Sequence, residues 1–343
     1  MDSQAESAGR VLCPPNPLVK LAFDRFIKGD SNGKRSGRPR FKGKNRYHSF
    51  TYTQVDNSDI QGNRINLPKI GLVKLVLHRP LPDGFKVKTA IVTKKADGWY
   101  ITLSLEDVSV PRAIHDLKPT ENNSIGIDLG LEKFLADTFG EFEDVPQFFR
   151  KIEDKLARLQ QNASAAKKGS RARKLLYRKV GRLHQKTARQ RRQFQFEASQ
   201  KVLQKAEVVF VEDLSVKNMS RRCKPKQEAD RKFVPNGQSA KSGLNKSIAD
   251  VGWASFVDIL VVKAERAGQQ VIKVNPKGTS QHCSKCLGYV PKELSERWHS
   301  CSHCGLEADR DTNSAVLIKK VGLGVVLTQK RSRRNPREAC AVT

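Results

Sequence analysis

Between residues 50 and 107 apolar and polar positions alternate in five short runs, "HSFTYTQV", "RINLP", "GLVKLVLH", "KVKTAIVTKK" and "GWYITLSLE". A period of two marks half-buried strands. Gly62-Asn63, Pro82-Asp83-Gly84 and Asp97-Gly98 supply the turns between them, so a small all-β barrel or sandwich is expected over 51–115. A different pattern starts at "SIGIDLG", 124–130, an apolar strand leading directly into "KFLADTFG" as a hairpin. The period then becomes helical, with Ile152, Leu156 and Leu159 in 149–162 and Leu176, Val180 and Leu183 in 170–205. "EVVFVEDLS", 207–215, returns to a buried strand, 216–245 reads as a mobile loop, and a helix over about 248–267 leads into the strand "QQVIKVNP". "DTNSAVLIKKVG" predicts a last helix with Asp311 as its N-cap. Strands alternating with helices predict an α/β domain over 120–276, resumed over 309–325. Residues 1–17 and 326–343 show no such pattern and are expected to be a disordered leader and a disordered basic tail. A short amphipathic helix is expected over Leu18–Ile27.

Charge changes this picture from an ordinary two-domain chain to one built for a polyanion. The sequence of 343 residues carries 64 Lys+Arg against 35 Asp+Glu, a formal charge of +29. Nucleic acid is the partner such a balance implies. The sequence has no apolar run of about 18 residues and no signal peptide, so no membrane partner is expected, and the expected compartment is the cytoplasm or, in a cell with a nucleus, the nucleus. The charge is also concentrated. Lys34, Arg35, Arg38, Arg40, Lys42, Lys44 and Arg46 make up seven of the thirteen residues of "KRSGRPRFKGKNR", with Phe41, Tyr47 and Phe50 interleaved or close by. From Lys155 to Phe196 there are fourteen Lys or Arg and no acid, among them Lys167, Lys168, Arg171, Arg178, Arg182 and Arg189. A loop and a helical hairpin of one sign are expected to track a phosphate backbone.

The third signal is metal chemistry of two kinds. Cys283-x2-Cys286, fourteen residues and Cys301-x2-Cys304 have the spacing of a zinc ribbon, in which four thiolates close one tetrahedral shell. Such a site is structural, and nearby His282, His299 and His303 are then bystanders. The other cysteines, Cys13, Cys223 and Cys340, are scattered, as in a reduced compartment. Asp128, Glu212 and Asp311 lie where a strand ends or a helix begins, which would bring three carboxylates to one sheet edge. Gathered carboxylates repel one another unless divalent cations neutralise them, and two magnesium ions so held suit phosphodiester cleavage. Asp309 is the rival for the third position and a possible auxiliary acid.

"GIDLGLEKFLAD", "VVFVEDLSVKNM", "GTSQHCSKC", "HSCSHCG" and "DRDTNSA" together resemble the TnpB family, RNA-guided DNA endonucleases of bacterial insertion sequences and relatives of the type V CRISPR effectors. The resemblance spans roughly 18–325. It implies a wedge-type β-barrel, then a RuvC-like RNase H fold with the basic helical hairpin over 149–205, interrupted at 277–308 by a zinc-ribbon insert that binds target nucleic acid. The family's three catalytic acids match Asp128, Glu212 and Asp311. It further implies a guide RNA from the transposon end, target DNA as second partner, and action in the bacterial cytoplasm on the nucleoid. Segment 18–50 would be what is left of a helical recognition region with its basic loop, an N-terminal truncation. A copy that binds nucleic acid without cutting it and a DNA-joining transposase are the alternatives.

Overall fold

The computed structural model describes residues 17–40, 47–107, 117–227, 232–293 and 295–327. Lys42, Lys44 and Arg46 of the basic loop, most of the leader and most of the tail lie outside them. The chain forms two compact units, residues 1–109 and 110–343.

In the first unit helix α1 (Pro17–Ile27) carries Val19, Leu21, Phe23, Phe26 and Ile27 exposed. The strands are β1 (Ser49–Tyr52), β2 (Ile60–Gln61), β3 (Arg64–Leu67), β4 (Gly71–Lys74), β5 (Lys86–Lys94) and β6 (Trp99–Glu106). They pair as two antiparallel three-stranded sheets, β1-β5-β6 and β2-β3-β4, so among the described residues the expected barrel does not close. The strands of two to four residues in the second sheet pair only with one another, leaving no ladder between the sheets. The alternation itself is realised. Ile65, Leu67, Val87, Ala90 and Val92 point into one shared core, while their neighbours along each strand are mostly exposed.

The second unit is mixed α/β. A meander of β7 (Ser124–Leu129), β8 (Lys133–Asp137) and β9 (Phe142–Asp144) is followed by α2 (Glu153–Ala165) and α3 (Arg171–Leu203), the expected hairpin. Strand β10 (Val208–Glu212) returns parallel to β7. The segment expected to be a loop instead contains α4 (Val216–Met219), the strand pair β11 (Lys226–Gln227) and β12 (Phe233–Val234), and α5 (Gln238–Val251). Helix α5 buries only its last turn, at Ile248, Asp250 and Val251, which is why its Lys-, Gly- and Ser-rich start reads as a loop. Gly252, at φ 69°, ends it and begins α6 (Trp253–Arg266), so one expected helix becomes two. Strand β13 (Gln270–Val274) completes a sheet ordered β13-β10-β7-β8-β9. The cysteine segment holds the pair β14 (Trp298–Ser300) and β15 (Glu307–Asp309), and α7 (Arg310–Gly322) follows. No helix among the described residues is long and apolar enough to cross a membrane.

Each face of the sheet has its own cover. Ile125, Ile127, Val209 and Val211 pack against Ala198 and Val202 of α3 and Phe256 and Leu260 of α6, and Phe134 makes edge-to-face contacts with Phe194 and Phe256. Val208 and Phe210 face the opposite way, toward Ile318 of α7. Two ties hold the helical layer: buried Asp250 accepts from the amide of Phe149 at 3.0 Å and from Arg191 at 2.9 Å. Arg173 clasps the α2–α3 turn through the carbonyls of Ser164 and Ala166.

Helix α7 touches the sheet backbone to backbone. A Cβ built on Gly126 would stand 2.2 Å from the Ala315 carbonyl oxygen and 2.7 Å from the Lys319 nitrogen, and one on Gly322 would strike the Phe210 ring at 2.1 Å. Substituting Gly126→Ala must therefore push α7 away, and is expected to cost about 3 kcal/mol, the upper end of ordinary overpacking. Chemical denaturation of the variant checks this; an unchanged unfolding free energy would contradict the packing described.

Candidate active site

Strand register sets the first two acids together. Val211 lies opposite Ile127 in the parallel β7–β10 pair, so Glu212 and Asp128 follow as neighbours at the C-terminal ends of adjacent strands. Because side chains alternate, and Ile127 and Val211 belong to the core under α3 and α6, Asp128 and Glu212 leave the sheet on its α7 side. The third acid arrives by helix geometry. Asp311 and Ala315 are one turn apart on the same side of α7, and the carbonyl of Ala315 is packed on Gly126, two residues before Asp128 on the same strand face.

Burial lifts the Asp128 carboxyl well above the ordinary carboxylate range, and the charges of Glu212 and Asp311 raise it further against the opposing pull of Arg310 and the Leu129 amide. Glu212 is also raised by burial, opposed by a hydrogen bond from the Thr279 hydroxyl. Asp311 is raised by burial and by Asp309, opposed by Arg310, Lys133 and Arg297. Three acids from three elements that resist ionising together form an arrangement suited to divalent cations with oxygen ligands.

The expectation for the start of α7 needs correction. Asp309, not Asp311, is the N-cap, accepting from the amides of Asp311 at 3.0 Å and Thr312 at 3.2 Å. Its other oxygen pairs with Lys133 at 3.0 Å. The cap belongs to the residue with non-helical backbone, here Asp309 at ψ 136°, and that leaves Asp311 inside the first turn with its side chain free of capping. Asp309 is thus occupied twice over.

The four cysteines converge as their spacing requires. Their sulfurs all lie within 4.8 Å of one another, with Cys283–Cys304 and Cys286–Cys301 each at 3.6 Å. A tetrahedral ion bonded to sulfur at about 2.3 Å would place the sulfurs about 3.8 Å apart. The set fits zinc. Two matching turns build it: Leu287 donates to the Cys283 carbonyl at 2.9 Å and Gly305 to that of Cys301 at 2.9 Å, and both donors have positive φ, 60° and 69°. Burial pushes the Cys283 thiol up to about 12. At Cys301 burial acts the same way but is outweighed by the His303 and Cys304 amides and the neighbouring thiols, which hold it near 6. Among the described residues no other group of three or more His, Cys, Asp or Glu gathers its ligand atoms in this way, and Asp128, Glu212 and Asp311 are not such a group. Of the nearby histidines, His282 and His299 are buried and neither joins the cluster.

Lys34, Arg35, Arg38 and Arg40 are exposed on a segment without regular structure, and Lys167, Lys168, Arg171, Arg178, Arg182 and Arg189 are exposed along the α2–α3 hairpin. Reading the sequence misses a groove of about 850 Å³ beside α3 and α6, lined by Arg191, Arg192, Phe196, Lys263 and Arg266. It also misses Thr279 and Asn313, two buried polar residues for which nothing local in the sequence gives a signal.

Removal of zinc with a strong chelator, or Cys301→Ser, is expected to open the 277–308 segment to protease while the five-stranded sheet stays resistant. Equal protease resistance with and without chelator would refute the structural zinc site.

Comparison with known proteins adds an independent line. A family model described as "Probable transposase" matches residues 105–222, and one described as "Cas12f1-like, TNB domain" matches 253–318. "Putative RNA-guided DNA endonuclease InsQ" of Escherichia coli K12 is 33% identical over 322 residues, covering 91% of this chain and 76% of that protein. A "Putative RNA-guided DNA endonuclease" of Streptomyces pristinaespiralis is 27% identical over 94% of this chain and 75% of its own length. A TnpB-like protein of Acanthamoeba polyphaga mimivirus is 25% identical over 61% of this chain and 39% of its own. Identity of this extent with InsQ, over most of both chains, places the protein in the TnpB family of transposon-encoded RNA-guided DNA endonucleases.

Proposed function

We propose that the second unit is a RuvC-type, RNase H-like nuclease domain that hydrolyses DNA at Asp128, Glu212 and Asp311, directed to its target by a guide RNA from the transposon end. One observation carries the reading: β7, β10 and α7 deliver three half-buried carboxylates to one sheet edge, where Asp128 feels the charge of both others. Like charges held together against their own repulsion and desolvation serve no folding purpose that an apolar residue would not serve better.

In this reading Asp128, Glu212 and Asp311 bind magnesium. Two such ions would activate a water and stabilise the leaving oxygen of the scissile phosphodiester. Asp309 instead caps α7 and takes Lys133, and so sets where Asp311 stands. Zinc on Cys283, Cys286, Cys301 and Cys304 holds a ribbon that contacts target nucleic acid. The exposed cations of 34–40 and of the α2–α3 hairpin bind phosphates of guide and target without reading sequence, which base pairing supplies.

The test is magnesium-dependent cleavage of a DNA target matching whatever RNA the protein is loaded with. Asp128→Ala is expected to abolish cutting and leave nucleic-acid binding intact, since it removes a metal ligand and no phosphate contact. Asp309→Asn, which keeps an oxygen acceptor for the cap, is expected to retain most activity. Cutting by Asp128→Ala at the wild-type rate would overturn the assignment.

A further inference from the structure

The ribbon is tied into the carboxylate site at two places by groups that neither the zinc nor the three acids account for. The first is Thr279, which is 1% exposed and lies at the entrance to the cysteine segment. Its hydroxyl reaches the Glu212 Oε1 at 2.5 Å and the Pro276 carbonyl at 3.0 Å. A hydroxyl has one proton to give, and the shorter contact to the charged acceptor takes it, in the length range of a charge-assisted O–H to carboxylate bond.

The second place is Asn313, also 1% exposed, two residues after Asp311 on α7. Its amide nitrogen donates to the His282 carbonyl at 2.9 Å and its oxygen accepts from the Ser284 amide at 2.9 Å, so it grips the backbone on both sides of Cys283. Lys320, two turns further along α7, donates to the Ser284 carbonyl at 2.6 Å. The loop between the two anchors is closed by His282, whose Nδ1 donates to the carbonyl of Gly278, the residue before Thr279, at 2.8 Å. Buried polar atoms with all partners inside the protein hold one arrangement, because every alternative leaves a donor or acceptor unpaired.

We infer that Thr279 is a positioning residue for Glu212, and that through Thr279 and Asn313 the first cysteine turn of the ribbon sets the geometry of the carboxylate site. This rests on the catalytic reading of Asp128, Glu212 and Asp311 given above. The ribbon then has two roles: it offers a surface to nucleic acid, and it braces one acid by a side-chain hydrogen bond and the helix carrying another by a backbone clamp. Groups that orient a metal ligand in this way lose about 10- to 100-fold in metal affinity or activity when removed.

The experiment compares Thr279→Val, Thr279→Ala and Thr279→Ser with wild type and Asp128→Ala in the full chain. Zinc content is measured first. Manganese binding is then titrated in the absence of nucleic acid, and cleavage is measured on the guide-matched DNA. Thr279→Val, with its zinc retained, is expected to bind manganese about 10-fold more weakly and to cut about 10- to 100-fold more slowly. Thr279→Ser, which restores the hydroxyl, is expected to recover both; recovery by Ser separates positioning from loss of packing. Thr279→Ala adds no bulk and reads the same way if the Val variant does not fold. Wild-type manganese affinity and cutting in Thr279→Val, with both lost in Asp128→Ala, would overturn the coupling and leave the carboxylate reading standing. Wild-type behaviour of Asp128→Ala as well would overturn both.

Discussion

Helix α7 lies on the sheet at backbone contact distance, and the arrangement of the second unit's site depends on that approach. Gly126 admits the Ala315 carbonyl, so no side chain separates helix from strand there, and Gly322 admits the Phe210 ring against the helix backbone. One turn before Ala315 stands Asp311, and two residues after Gly126 stands Asp128. The distance between two of the three acids is thus set by backbone packing, which has little slack in a close-packed interior. Glu212 needs no such device, because parallel register already puts it beside Asp128.

Two aspartates two residues apart divide their labour on this helix. Asp309 satisfies amides that no helical carbonyl can reach and neutralises Lys133, a structural role complete in itself. Asp311, one step into the first turn, caps nothing, and its burial and the charge of Asp309 outweigh the pull of Arg310, Lys133 and Arg297. The cysteines a few residues earlier belong to a different chemistry: soft sulfurs 3.6 Å apart in pairs suit zinc, whereas carboxylate oxygens suit hard cations. Asn313 and Thr279 join the two centres without either sharing a ligand.

Features encoded locally were legible in the sequence. The four-cysteine cluster was, because four cysteines at two short spacings constrain their own turns. The strands ending in Asp128 and Glu212 were, because an apolar run that stops at an acid marks a buried strand reaching an edge. The basic hairpin was legible from period and sign together, but the separate structural duties of Arg173 and Arg191 were not, since they depend on carbonyls and an acid brought close by folding. Non-local pairing also decided what the sequence left open between a barrel and a sandwich: the first unit divides into two sheets and does not close. The cap assignment failed for a related reason: Asp309 and Asp311 are the same residue type two positions apart, and only backbone geometry says which of them starts the helix.

The divalent-cation site proposed at Asp128, Glu212 and Asp311 is distinct from the four cysteines and from Asp309. A crystal soaked in manganese, with anomalous scattering recorded at the manganese and zinc edges, tests this directly. Manganese between the carboxylates of Asp128, Glu212 and Asp311, zinc among the four sulfurs, and Asp309 still bonded to its two amides is the result expected. Manganese on Asp309 with Asp311 turned away, or none at the sheet edge at all, would contradict it.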